Sequence, residues 1–170
     1  MDGFKVKTSI RPSNIAGNGR FFDENVKKGT IVREQKIGSD SLLKFESDAE
    51  LIKYISPDTE KNFLDKLERV RHFFHTVPEN SNFYRDCVFL NQPFMYTNHS
   101  FDPNITFEYT KEWKYTVTTR DVKTGEEMFQ NYLNFTDVSW YENFLKKYNF
   151  TSSRKFAYEL NKKMVNEEKN

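Results

Sequence analysis

Cysteine, long apolar runs and an excess of charge of either sign are all missing from this 170-residue sequence. It has one cysteine, Cys87, so a single chain can form no internal disulfide and no all-cysteine zinc site. Lysine plus arginine (26) and aspartate plus glutamate (25) nearly cancel, and the formal charge of +1 gives no global attraction to nucleic acid or membrane. These absences exclude a disulfide scaffold and give no direct nucleic-acid signal.

The N-terminal segment also lacks an export signal. Its first residues, MDGFKVKTSI, have no apolar core of the signal-peptide kind, and no stretch approaches membrane-spanning length. We therefore expect an intracellular protein, cytoplasmic or nuclear, with no membrane partner. On that expectation the four Asn-X-Ser/Thr sequons are products of an Asn-rich, Thr-rich composition; they begin at Asn98, Asn104, Asn134 and Asn149.

Aromatic residues are abundant, with 17 Phe and 9 Tyr, although 30% of the residues are charged. The length suits one domain with a sizeable core, so we expect a hydrophilic surface around an aromatic interior. Strand-like segments lie on both sides of a helical stretch, and helices close the chain. This order predicts an α+β, β-rich fold with a mostly antiparallel sheet. The predicted strands cover 4–10, the second half of 25–35, 83–90, 104–109 and 113–119.

Four helices are expected from capping and periodicity. Ser47 and Glu50 have capping-box spacing at the start of a short helix over 47–55. Ser56-Pro57 opens a longer helix, a third begins after Asp137, and a fourth covers 152–165. The apolar positions that share a face are Phe63, Leu67, Val70 and Phe74 in the longer helix, and Val138, Tyr141, Leu145 and Tyr148 in the third.

Two polar motifs follow one another in the second half of the chain. Residues 98–104, NHSFDPN, hold several polar side chains and one proline, and taken alone they could satisfy one another in a buried turn. Residues 125–132, GEEMFQNY, begin with what would alone be a surface turn. The two motifs are separated by strand-like residues, and this ordered pair needs a common explanation.

The pair, together with IAGNGRFFDENVKKGTIV at 15–32, closely resembles the signature of SET-domain protein lysine methyltransferases. The resemblance covers residues 4–133. It implies a SET fold of short, mostly antiparallel sheets with a knot-like C-terminal threading. It also implies a SET domain over 1–134 with a helical insert at about 47–77, and a C-terminal helical segment over 135–170 that closes the site.

The activity that the resemblance implies is S-adenosylmethionine-dependent methyl transfer to the ε-amine of a lysine in a protein substrate, a histone or another protein. No metal is needed, because the sulfonium already activates the leaving group. The amine has an ordinary pKa of about 10.4. A narrow, aromatic channel would lower that pKa and align the nitrogen. The alternative is a SET-fold interaction module that has lost catalysis and only binds a partner or cofactor.

The resemblance also assigns roles to single residues. Tyr132 matches the tyrosine whose hydroxyl sits beside the transferring methyl group, and it is the predicted catalytic residue. The residues implied to bind the cofactor are Gly17, Asn18, Gly19, Asn98 and His99, with Trp140 as the candidate to stack on the adenine. The residues implied for the substrate channel are Tyr96, Phe107 and Tyr109, and Phe107 is at the position that sets the number of methyl groups.

The sequence departs from the family pattern at several positions. Phe101 occupies a place where relatives often carry a zinc-binding cysteine, and no cysteine follows Cys87, so a zinc-bound C-terminal cap is excluded. The aromatic helix after Asp137 must then close the channel. Its candidate wall residues are Trp140, Tyr141 and Phe144.

Two further departures favour the non-catalytic alternative. Met95 replaces a frequent arginine, and Gln130 replaces an apolar residue before the motif tyrosine.

On the predicted long helix, His72 and His75 are spaced i, i+3, which is close enough to share a metal. No carboxylate or cysteine pattern supports that site, so we predict no metal.

Overall fold

Short strands and helices make up the part of the chain that the computed structural model describes, residues 3–56, 63–67, 73–79, 81–92 and 95–167. The strands are β1 (Thr8–Pro12), β2 (Asn18–Phe22), β3 (Ile31–Lys36), β4 (Leu42–Phe45), β5 (Phe74–His75), β6 (Val88–Asn91), β7 (Asn98–His99), β8 (Ile105–Tyr109), β9 (Trp113–Thr118) and β10 (Phe129–Gln130). The helices are α1 (Asp48–Ile55), α2 (63–67), α3 (Ser139–Lys147) and α4 (Ser153–Glu167), and Tyr132–Asn134 form a 3-10 turn.

The sheets are small and mostly antiparallel. β1 pairs with β2, β9 lies between β3 and β8, and β6 lies between β4 and β5, all in antiparallel register. The fourth sheet is a parallel pair of β7 and β10. The predicted α+β, mostly antiparallel fold is therefore confirmed. None of the helices in the described residues is long and apolar enough to cross a membrane.

Helix α1 begins with the predicted capping box, but one of its two hydrogen bonds has a different backbone partner. The Ser47 hydroxyl accepts the backbone N–H of Glu50 at 3.3 Å, as a capping box requires. The Glu50 carboxylate accepts the N–H of Glu46 at 2.8 Å instead of the N–H of Ser47. Both bonds satisfy backbone donors at the entry to the helix, so the predicted helix start is confirmed.

Two predicted strands are shifted toward their C-terminal ends. The strand expected at 4–10 is β1, and Phe4 makes only an isolated bridge to Arg33. The strand expected at 83–90 is β6, because Tyr84 has a φ of +61°, in the left-handed region that an extended strand cannot include. The strands expected at 104–109 and 113–119 are confirmed as β8 and β9.

The prediction that Phe74 lies on a helix is wrong. Phe74 is in β5, directly opposite Leu90 of β6. Its ring centroid is 5.6 Å from that of Phe45 and 5.9 Å from that of Tyr141. Pairing with a strand distant in sequence thus overrides the local helical periodicity. Phe63 and Leu67 of the same predicted stripe lie on α2, whereas Pro57, Val70 and His72 lie outside the described residues.

Three hydrophobic clusters form the interior of the described residues, and the smallest consists of Leu42, Val77, Cys87 and Phe89. The first joins α1 and α3 to the β4–β6–β5 sheet, and it confirms the buried face predicted for α3; its members include Phe45, Leu51, Phe74, Val138, Tyr141, Phe144 and Leu145. The predicted stripe ends at the half-buried Tyr148. The second cluster joins β2, β3 and β8 to residues 128–135; its members include Phe22, Val32, Ile105, Phe107, Met128 and Phe135.

The Gly-Glu-Glu motif is held along β2. Gly125 has a φ of +90°, a conformation that favours glycine, and its N–H donates to the Phe22 carbonyl at 2.7 Å. The Phe22 N–H donates back to the Glu126 carbonyl at 2.9 Å, and Met128 N–H donates to the Arg20 carbonyl at 2.6 Å. These bonds fix the course of the chain that leads to Tyr132.

Candidate active site

The parallel pair of β7 and β10 brings the two polar motifs together. Asn98 lies opposite Phe129, and His99 lies opposite Gln130. The N–H of Ser100 extends the pairing by donating to the Gln130 carbonyl at 3.0 Å. Residues separated by some thirty positions in the chain are thereby held side by side.

Asn104 stabilises the pairing of β7 and β10 through buried side-chain hydrogen bonds. Its side chain is fully buried, and its Nδ2 donates to the Glu127 carbonyl at 2.7 Å. Its Oδ1 accepts the Phe129 N–H at 2.9 Å. One amide therefore satisfies two backbone groups of the facing segment, which explains why this motif ends in asparagine.

A cavity of about 560 Å³ opens at the junction of the two motifs. It is lined by residues of the first and second hydrophobic clusters, by the loop before β2 and by the start of α4. The lining residues are Ile15, Ala16, Gly17, Asn18, Phe73, Phe74, His75, Asn91, Met95, Tyr96, Thr97, Asn98, His99, Phe107, Gln130, Tyr132, Phe135, Thr151, Ser152, Ser153 and Phe156. The structure thus brings together Gly17, Asn18, Tyr96, Asn98, His99, Phe107 and Tyr132 from the predicted site.

The hydroxyl of Tyr132 has a fixed orientation. It donates its proton to the Thr97 carbonyl at 2.6 Å. The lone pairs of the hydroxyl oxygen are therefore free to accept contacts from a ligand. Burial raises the pKa of Tyr132 well above its usual value, and the nearby Glu127 carboxylate raises it further. The group therefore stays a phenol at neutral pH and cannot serve as a base.

His99 is a neutral ring with one unused nitrogen. Its Nδ1 accepts the Tyr132 N–H at 3.1 Å, so the neutral ring carries its proton on Nε2. Burial lowers the pKa of His99, against an opposing contribution from the backbone of Gln130. Nε2 is buried and makes no hydrogen bond with the described residues. A buried N–H donor at the cavity wall is therefore left for a ligand to satisfy.

Asn98 is tied to a buried carboxylate that sequence reasoning missed. Its Nδ2 donates to Glu127 Oε1 at 2.6 Å and lies 3.3 Å from the Ala16 carbonyl. Glu127 Oε2 accepts the Ser13 hydroxyl at 2.9 Å, so this carboxylate joins the loop before β2 to the motif. Its signal in the sequence is its place as the second glutamate of Gly-Glu-Glu.

Gly19, for which the resemblance implies a cofactor-binding role, does not line the cavity. A Cβ at this position would lie 2.0 Å from Glu127 Oε1 and 2.5 Å from its carboxyl carbon. The missing side chain therefore makes room for Glu127. Gly17, by contrast, has a φ of +51° and open space around its Cα, so its glycine is needed for backbone conformation.

We expect Gly19→Ala to destabilise the fold by about 1–3 kcal/mol, because the new methyl group displaces the Glu127 carboxylate from a packed site. Urea denaturation would measure the loss. In a Glu127→Ala background the same substitution should cost almost nothing, because the clash is gone. An equal cost of Gly19→Ala in both backgrounds would contradict the packing argument.

Two further predicted site residues, Trp140 and Tyr109, do not line the cavity. Trp140 donates through Nε1 to the Asp86 carbonyl at 2.9 Å and borders a separate groove with Ile52 of α1. Trp140 is partly buried against the first cluster, in which Tyr141 and Leu145 are fully packed, and it does not line the cavity. The cavity lining therefore does not include the residue predicted to stack on the adenine.

Tyr109 also lies behind the cavity wall. Its hydroxyl is 3.0 Å from His75 Nε2, and its ring packs at 5.5 Å from that of Phe89. Tyr141 and Phe144, the other candidate walls, are buried in the first cluster. The C-terminal segment reaches the cavity through residues 151–153 and Phe156 of α4 instead. Nothing in the sequence distinguished Phe156 from the other residues of its charged helix.

The cavity floor contains two polar residues that were not predicted for it. His75 and Asn91 line it, and both are buried. In the described residues no group of three or more His, Cys, Asp or Glu side chains is arranged to hold a metal ion.

The chain is similar to one known protein family in sequence and to several solved structures in fold. The chain matches the family model described as SET domain over residues 17–133. The fold is similar to a structure of Polycomb Repressive Complex 2 from Chaetomium thermophilum, in an autoinhibited conformation and bound to S-adenosylmethionine. That match has a TM-score of 0.54 and 20% sequence identity, and it covers 85% of this chain. The same complex bound to GSK126 has a TM-score of 0.54 and 19% identity, covering 79%. The chain spans 17% of the length of each of those chains. No curated protein sequence matches it.

Proposed function

The chain belongs to the SET-domain family, and from that premise we propose that it transfers the methyl group of S-adenosylmethionine to the ε-amine of a lysine in a protein substrate. The SET fold is typical of protein lysine methyltransferases. The observation that carries the proposal is the single cavity that Asn98, His99 and Tyr132 share. Its volume of about 560 Å³ is ordinary for a cofactor site.

The residues around the cavity fit a cofactor of this chemistry. The buried Nε2–H of His99 lacks a partner, and the Glu127 carboxylate behind Asn98 offsets positive charge. Asn98, His99 and the Gly17–Asn18 backbone would hold the cofactor, which supplies a methyl group already activated on a sulfonium. The aromatic lining would favour that cation through its ring faces.

Tyr132 is the proposed catalytic residue. Its proton is committed to the Thr97 carbonyl, so its oxygen can accept weak C–H···O contacts from a methyl group. Such contacts orient the methyl group and involve no proton transfer. Its raised pKa is consistent with this positioning role rather than with a role as a base.

The C-terminal segment, residues 135–170, closes the proposed site through α4, and Phe156 takes the place that Trp140 was predicted to hold beside the adenine. Phe156 lines the cavity but is 58% exposed, so it is available to stack on a ligand. We expect Phe156→Ala to weaken S-adenosylmethionine binding about tenfold, a typical loss for one base–aromatic stack.

Calorimetric titration of the cofactor would measure this loss. Trp140→Ala is the matched control, because it removes a larger aromatic ring from α3 and should leave the cofactor affinity unchanged. If Trp140→Ala weakened binding and Phe156→Ala did not, α3 rather than α4 would close the site.

Transfer of radiolabelled methyl from S-adenosylmethionine to core histones and to a total cell extract tests the proposed function. A labelled protein band whose peptide map gives methyl-lysine would support it. The alternative is a non-catalytic interaction module, which the departures at Met95 and Gln130 favour. Cofactor binding without label in any protein would support that alternative, and absence of cofactor binding would contradict the proposed cofactor site.

A further inference from the structure

Helix α4 reaches the cavity, yet it buries very little of its own surface. Residues 151–153 and Phe156 line the cavity, and the helix lies against the turn formed by Tyr132–Asn134. Within 153–162, the part of α4 whose side chains are described, only Ala157 is buried and most of the others are exposed. Burial of one alanine gives little hydrophobic stabilisation, and helices in proteins depend mainly on tertiary contacts. The position of α4 must therefore depend on polar contacts.

Arg154 makes these polar contacts. Its Nη1 donates to Asp137 Oδ2 at 2.7 Å, and its Nη2 donates to Glu79 Oε1 at 2.9 Å. The side chain is 30% exposed, and its Nε is buried without a partner among the described residues. No other side chain of 153–162 forms a hydrogen bond or ion pair with a described residue outside the helix. One planar guanidinium thus joins α4 to two carboxylates, a geometry that lysine cannot reproduce.

The two carboxylates belong to segments that are paired with each other. Pro78 and Phe135 form an isolated antiparallel bridge, and the Glu79 N–H donates to the Asn134 carbonyl at 2.9 Å. Asp137 lies two residues beyond the bridge, on the same side of the chain as the turn that carries the proposed catalytic tyrosine. None of these backbone bonds involves α4. Glu79 and Asp137 therefore form a docking point that exists independently of the helix.

We propose that Arg154 is a positioning residue: through Glu79 and Asp137 it holds α4, and with it Phe156, against the cavity. Arg154 does not itself line the cavity, so its effect on a ligand must pass through the helix. Exposed ion pairs usually contribute little, because water competes for both partners. Here the contribution decides the position of the helix, because α4 has almost no buried apolar surface that would hold it without the ion pairs.

The first test measures the docking of α4 without any cofactor. Ala157→Cys puts a thiol at the buried position of the helix, where uncharged N-ethylmaleimide reacts only when the helix leaves its place. The native Cys87 is buried, and burial raises its pKa to about 12, so its own labelling is slow. Addition of Arg154→Met to Ala157→Cys should raise the labelling rate about fivefold, because two lost ion pairs increase the undocked population.

Two comparisons separate an ionic role of Arg154 from a steric one. Arg11→Met is the matched control, because Arg11 forms an exposed ion pair with Asp23 on β1 and β2, and its loss should leave labelling unchanged. Sodium chloride is the second comparison, since raising it from about 0.1 M to about 1 M shortens the screening length from about 10 Å to about 3 Å. Salt should speed labelling when Arg154 is present and have no effect in Arg154→Met.

The consequence for cofactor binding rests on the proposed function. Arg154→Met should weaken S-adenosylmethionine binding about threefold in calorimetric titration, because part of the protein no longer presents Phe156 to the ligand. In a Phe156→Ala background the same substitution should weaken binding less than about 1.5-fold, because the ring that it positions is absent. A general loss of stability would lower the affinity equally in both backgrounds.

Equal labelling rates with Arg154 and with Arg154→Met would overturn the inference, and so would equal losses of affinity in the two Phe156 backgrounds. If Ala157→Cys by itself displaces the helix, hydrogen exchange of the α4 amides replaces labelling, because a 15-residue helix without tertiary contacts is marginal in water and its amides should exchange about fivefold faster in Arg154→Met. Salt-dependent labelling in a protein that binds no cofactor would remove the proposed function and leave this inference standing. Methyl transfer with labelling that Arg154→Met does not change would do the reverse.

Discussion

Tyr132→Phe should lower the rate constant of methyl transfer by about a hundredfold or more, while cofactor affinity changes only a few-fold. A hundredfold loss corresponds to about 2.7 kcal/mol of transition-state stabilisation, the size reported for removing one well-placed polar group. The hydroxyl is the group that the Thr97 carbonyl orients and that faces the cavity. Initial rates of labelled methyl transfer, with calorimetric titration of the cofactor, would measure both quantities.

Tyr84→Phe is the control for this prediction. Its hydroxyl also donates to a backbone carbonyl, that of Lys111, but Tyr84 does not line the cavity. Both variants lose one phenol-to-carbonyl hydrogen bond, so each should lose about 0.5–1.5 kcal/mol of stability. Only Tyr132→Phe should lose transfer. Wild-type rates in Tyr132→Phe would mean that another group orients the methyl.

Asn104→Ala should destabilise the protein by about 2–5 kcal/mol, a large part of the 5–15 kcal/mol typical of a small domain. The substitution leaves the Glu127 carbonyl and the Phe129 N–H buried without partners, and each such group costs about 1–3 kcal/mol. Urea denaturation, with unchanged slope and lowered midpoint, would measure the loss.

Two further variants make the Asn104 prediction sharper. Asn143→Ala is the control, because this asparagine is exposed on α3 and alanine favours a helix. Asn104→Asp keeps the acceptor for the Phe129 N–H but sets a buried carboxylate against the Glu127 carbonyl, so its loss should be at least as large as that of Asn104→Ala. If Asn104→Ala lost no more stability than Asn143→Ala, the two hydrogen bonds of the Asn104 side chain would not be what holds the motifs together.

The elements that the sequence predicted correctly depend on local interactions. The start of α1 follows from Ser47, whose hydroxyl can reach an N–H three residues later. The face of α3 follows from the spacing of Val138, Tyr141 and Leu145, all of which are buried. β8 and β9 follow from β-branched and aromatic runs. In each case the residues that determine the structure lie within one element.

The elements that the sequence placed wrongly depend on distant partners. Phe74 fits a helical stripe, yet pairing with Leu90 and packing on Phe45 place it in a strand. Trp140 lies beside Tyr141 on α3, yet it packs against the first cluster and donates to the Asp86 carbonyl, so it does not line the cavity. Neither outcome can be read from the neighbouring residues, because the partner lies elsewhere in the chain.

The sequence by itself determined the family, through two motifs and a glycine loop whose order and residue types it displays directly. It also placed Asn98, His99 and Tyr132 together by resemblance. Only the tertiary structure revealed why Gly19 is glycine, how Glu127 and Asn104 hold the motifs, and that the buried Lys114 contacts Asn91 of the cavity lining. The physical reason is that burial and hydrogen bonding depend on which side chains meet, and those contacts join residues from separate strands.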